Sequence, residues 1–149
     1  MKKFVFSLER MLVYQQQNLE KEKGNLGKLT AARDELEELK NGQETRIAHI
    51  QKEIKKRQAE GTTVFILKGC FAVLEGARLQ LEDTQKELSQ AQARVEKQRR
   101  IVTEASKEVK KLEKLKENQL EEYHHDEAKE QQDMITEHVA GAFVRNGVS

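Results

Sequence analysis

The sequence predicts an all-α protein, a long two-helix antiparallel coiled-coil hairpin whose second helix is the longer. Three observations predict it: a seven-residue apolar repeat, a composition of helix formers, and one short break between two registers. In the second half, Leu67, Leu74, Leu81, Leu88, Val95, Val102 and Val109 stand seven apart. Their companions in the heptad are Cys70, Ala77, Thr84, Ala91, Gln98, Ala105 and Leu112, mostly small or apolar. A strict repeat of this length imposes a left-handed supercoil, because a straight helix would rotate its stripe away from the partner. Charged residues make up 36% of the chain and aromatic residues 5%, with no Pro and no Trp. So polar a chain cannot fill a globular core, yet Glu, Lys, Gln, Arg and Ala all favour helix. Disorder is the other outcome of such polarity, and the regular apolar period argues against it.

The first helix is expected over residues 4–59. Its seam reads Val5, Leu8, Leu12, Leu19, Leu26, Leu29, Leu36, Ile47, Ile50 and Ile54, with polar Arg33, Lys40 and Gln43 loosening its middle. Gly24, Gly27 and Gly42 each cost about 1 kcal/mol relative to Ala, so this helix needs its partner's stripe. The turn is expected at residues 60–63, where Gly61 can end one helix and Thr can cap the next. The second helix follows over residues 63–140, and Gly141 and Gly147 predict fraying over 141–149. At 1.5 Å per residue the two arms would be about 80 and 115 Å long. Folding about the turn pairs Ile54 with Leu67 and Ile47 with Leu74, and puts Val5 near Lys116. That leaves an overhang of about twenty residues. One uninterrupted helix in a parallel dimer is the alternative, and the break in the heptad over residues 60–66 opposes it.

Function classes narrow by the same means. A net charge of +1 gives no whole-molecule field for nucleic acid or an anionic membrane. The lone Cys70 forms no internal disulfide and suits a reducing compartment. The start Met1-Lys2-Lys3-Phe4-Val5-Phe6 imitates a secretory signal, but Glu9 and Arg10 interrupt it and no cleavage site follows. No apolar run is long enough to span a membrane. Glycine-rich phosphate loops, nucleophile elbows, H-E-x-x-H and C-x-x-C are absent, so no enzyme, cofactor or small-molecule substrate is expected. His125 and Glu121 are four apart, but two ligands do not make a metal site, and a solvated polar face accounts for them. From Arg94 to Lys116 there are nine basic and four acidic residues, and from Glu117 to Glu137 eight acidic and one basic. Two apolar clusters exceed what a two-stranded seam buries: Phe4 to Tyr14, and Val64 to Leu74. Tip packing around the turn accounts for part of the second cluster, and the remaining side chains read as contacts for another protein.

The opening Phe4-x-Phe6-Ser7-Leu8-x-x-Met11-Leu12 resembles the F-x-F-x-L-x-x-L-L start of the FliJ family, soluble components of bacterial flagellar type III export. The run Val109-Lys110-Lys111-Leu112-Glu113-Lys114-Leu115-Lys116-Glu117, then Tyr123, Glu127 and Glu130-Gln131, is similar to that family's second-helix signature. With the matching length and turn, the resemblance covers nearly the whole chain. It implies a flagellar export accessory protein that binds the export ATPase ring as a rotary ATPase holds its central stalk. It further implies a link to the export-gate membrane protein and escort of export chaperones. The location implied is cytoplasmic, peripheral to the inner membrane. On this resemblance Phe4, Phe6, Leu8, Leu12 and Tyr123 face the ATPase. A gapless match places the gate contact at Cys70, Leu74, Ala77 and Leu81. There the chain departs from the family: the expected aromatic falls on Cys70, with Phe71 beside it, and the expected polar residue falls on Leu81. The equivalent stalk of a virulence secretion system, or a purely structural homo-oligomeric coiled coil, are the competing readings.

Overall fold

In the computed structural model, which describes residues 2–147, helix α1 spans Glu9–Glu60 and helix α2 spans Val64–Asn146. The two form an all-α antiparallel hairpin with the second helix longer. The reversal takes three residues. Gly61 adopts φ 91°, the left-handed region where a Cβ is strained. Thr63 then caps α2: its Oγ1 accepts the Ile66 N–H at 3.2 Å and its carbonyl accepts the Leu67 N–H at 3.1 Å.

Both ends depart from the sequence expectation. The first helix begins at Glu9, not at residue 4, with the Phe6 carbonyl accepting the Glu9 N–H at 3.1 Å. Residues 2–6 lie outside the helix, and there Phe6 is buried while Val5, expected in the seam, is 80% exposed. Position 116 is met not by Val5 but by Glu9, whose carboxylate lies 2.8 Å from Lys116 Nζ. At the other end α2 runs through Gly141 to Asn146, where fraying was expected. A single helical glycine costs only about 1 kcal/mol, and Arg145 Nε donates to the Gly141 carbonyl at 3.2 Å. Val148 and Ser149 lie outside the described residues.

The chain divides into two compact units, residues 1–20 with 104–149, and residues 21–103. In the second of these, α2 buries Leu74, Ala77, Thr84, Leu88, Ala91, Val95 and Gln98, whereas on α1 only Ile54 is fully buried. Leu26, Leu29, Arg33, Leu36, Lys40, Gln43, Ile47 and Ile50 are half-buried, as are Leu67, Cys70, Leu81 and Val102. Gln98 Nε2 crosses to α1, donating to the Glu22 carbonyl at 3.0 Å and to the Glu22 carboxylate. The unit of residues 1–20 and 104–149 has a drier core of Phe6, Leu12, Leu19, Ala105, Val109 and Leu112.

Candidate partner-binding surfaces

Within residues 1–20 and 104–149, residues 2–6 form a strap that meets α2 at Tyr123 through Phe4 and the Lys2 carbonyl. Phe6 buries completely, and the Phe4 ring meets Tyr123 with centroids 5.6 Å apart and planes tilted by 53°. The Tyr123 hydroxyl donates to the Lys2 carbonyl, and the Tyr123 ring meets His124 edge-on at 5.7 Å. Partial burial, followed by the carboxylates of Glu127 and Glu130, holds the Tyr123 phenol above its ordinary range. The structure thus brings together Phe4, Phe6, Leu8, Leu12 and Tyr123. Phe6 and Leu12 are core, whereas Phe4, Leu8 and Tyr123 are half-buried. The side chains this end offers outward are Val5, Met11, Val13 and Tyr14.

Beyond this clasp, residues 128–140 of α2 are exposed on every side. One face of this stretch is apolar: Ile135, Val139 and Phe143, four apart, line a shallow groove with Gln132 and Thr136. The four-residue spacing was visible in the sequence, but the acidic charge of the segment masked it.

The residues expected at the gate separate in the structure. Leu74 and Ala77 are buried in the seam, Cys70 and Leu81 are half-buried there, and Phe71 alone stands out, 48% exposed. The gapless match lands on the seam because those positions keep the heptad spacing. Large apolar side chains that do meet solvent in this stretch are Val64, Phe65, Ile66, Val73 and Leu79. Of these, Leu79 went unnoticed in the sequence because it sits outside both the heptad and the apolar run.

Among the described residues no three His, Cys, Asp or Glu side chains stand together as a metal site requires. No described helix is long and apolar enough to cross a membrane. A family model for the flagellar FliJ protein matches residues 4–147, from Phe4 in the clasp almost to the end of the chain. The chain belongs to the FliJ family. No curated protein and no solved structure matches it. Membership makes it a flagellar export-related protein. The two stretches that carried the resemblance, Phe4 to Leu12 and Val109 to Gln131, both lie in the matched span.

Proposed function

We propose that this FliJ-family chain is a non-catalytic adaptor that docks its clasped end on the flagellar export ATPase ring, in the manner of a rotary-ATPase stalk. There it promotes ring assembly, links the ring to the export-gate membrane protein, and escorts export chaperones. It works in the cytoplasm and reaches the inner-membrane face through these partners. The observation that carries the reading is the clasp itself, whose Phe4, Phe6 and Tyr123 lie within the span matched by the family. Phe4, Tyr123 and the Lys2 carbonyl hold residues 2–6 in one shape, so Val5, Met11 and Tyr14 are presented on a fixed surface. Fixing a contact surface beforehand lowers the entropy cost of binding.

At the gate, Leu74 and Ala77 act through the seam, and the contact passes to Phe71 and its exposed neighbours. Co-sedimentation of the full chain with its cognate export ATPase tests the ring contact. Val5→Glu changes a side chain that the core does not use, so helicity should hold while ATPase binding falls. Binding unaffected by Val5→Glu, or no binding by the unaltered chain, discards the ring contact.

A further inference from the structure

From the outer face of α2 beside the reversal, we infer that two copies of this chain associate tip to tip through residues 64–80, antiparallel, about a two-fold axis at Ala72. This goes beyond the proposed adaptor role and does not depend on it. At about 100° per residue, Phe65, Lys68, Ala72, Glu75 and Leu79 fall within one arc of roughly 80°. The arc lies opposite the seam line of Cys70, Leu74 and Ala77, so α1 does not cover it. Phe65 is 86% exposed and Leu79 54%. Gly69 and Gly76 rim one side, and nothing lies within 4 Å of a Cβ built on either. Two exposed helical glycines weaken α2 without serving the hairpin, but they let another backbone approach closely.

What identifies the occupant as a second copy is the symmetry of the face. When two such helices cross antiparallel at Ala72, residues equally far before and after it meet. Phe65 then packs on Leu79 of the other copy, seven positions either side. Lys68 faces the step between Glu75 and Gly76. Among the described residues, neither Lys68 nor Glu75 has a hydrogen bond or ion pair. They are seven apart, about 10.5 Å along the helix, too far to pair with each other within one chain. Across the two-fold they pair twice, on the same rim. A self-complementary patch of this kind closes as a dimer and goes no further. The overlap also stops where the apolar character stops, since beyond Leu79 the same face carries Asp83, Lys86, Gln90 and Lys97. The apolar area is on the order of a few hundred Å² per copy, below the roughly 800 Å² per partner of lasting complexes. The dimer is therefore weak and concentration-driven.

Sedimentation equilibrium on the full chain, from about 5 to 500 µM, where contacts of this size associate, reads it directly. The expected result is a monomer at the low end and a rising dimer fraction at the high end. Lys68→Glu alone and Glu75→Lys alone should each weaken association about tenfold, since each replaces two attractive pairs by two repulsive ones. Mixing these two variants should restore it, because every pair across the axis is then attractive again. A monomer at every concentration overturns the inference, as do single variants that dimerise like the parent or a mixture that stays monomeric. Binding of the gate's soluble domain, measured in parallel, reads the adaptor role separately. Loss of that binding in Leu79→Asp, with the parent monomeric throughout, would assign the face to the gate and overturn the dimer.

Discussion

The two compact units solve the same packing problem with different chemistry. Residues 21–103 spread a long seam in which Arg33, Lys40 and Gln43 of α1 and Thr84 and Gln98 of α2 interrupt the apolar positions. Residues 1–20 with 104–149 use fewer positions, nearly all apolar, and add the clasp of residues 2–6. Polar seam positions weaken packing, but they fix which residue meets which, as Gln98 does by reaching the Glu22 carbonyl. An apolar seam is stronger per contact and slides more easily. In the drier unit, the alignment is fixed from outside the seam by the Glu9–Lys116 pair and by Tyr123 on the Lys2 carbonyl.

The largest effect that would break this contrast is expected in the polar-laced unit. Val95 is 2% exposed there, and Val95→Asp buries a charge without a partner, costing about 3 kcal/mol or more. Circular dichroism should show most helicity lost at room temperature, and full helicity would refute the register. Next is Leu12→Ala in the drier unit, expected to cost about 2–4 kcal/mol in denaturant melts. A loss well under 1 kcal/mol would mean that this core contributes no more than the laced one.

Gln43 sharpens the comparison from the opposite direction. Its Oε1 is buried without a hydrogen-bond partner among the described residues, so Gln43→Leu should raise stability by about 1 kcal/mol. A destabilised variant would show that the amide fixes register as Gln98 does. The smallest effect is local and pH-dependent. Because the fold raises the Tyr123 pKa, its contribution is intact below the ordinary phenol range and is lost as pH climbs through the raised value. In Tyr14→Phe, Tyr123 is the one tyrosine left of two, so ultraviolet absorbance reads it alone. Its midpoint should lie above 10.0, with amide exchange of residues 2–6 quickening as it ionises. A midpoint at or below that value would refute the burial of the ring against the strap.

The α2 heptads were legible from sequence because helix period and burial agree from Leu74 to Leu112. The reversal was legible because Gly61 and Thr63 are residues whose chemistry suits one job each. The strap was not, since five residues are too few to announce a departure from the helical period. Helical phase therefore put Val5 inside, while Phe6 was assigned by resemblance to the ATPase face. At the candidate gate residues the seam was legible too: Leu74 and Ala77 keep the heptad spacing, and both are buried. The helix runs on past Gly141, because one glycine is a small penalty inside a helix of 83 residues.

The three-residue reversal at Gly61 also sets an order of events in folding. Seam positions flanking it, such as Ile54 and Leu67, are near neighbours along the chain, so closing them first costs little loop entropy. The Gln98–Glu22 bond closes 76 positions and the Tyr123–Lys2 bond 121, so each becomes inexpensive only after everything nearer the joint has zipped. The strap is thus the last part to arrive and the first to leave, so a nascent chain completes this clasped end only after the rest has folded.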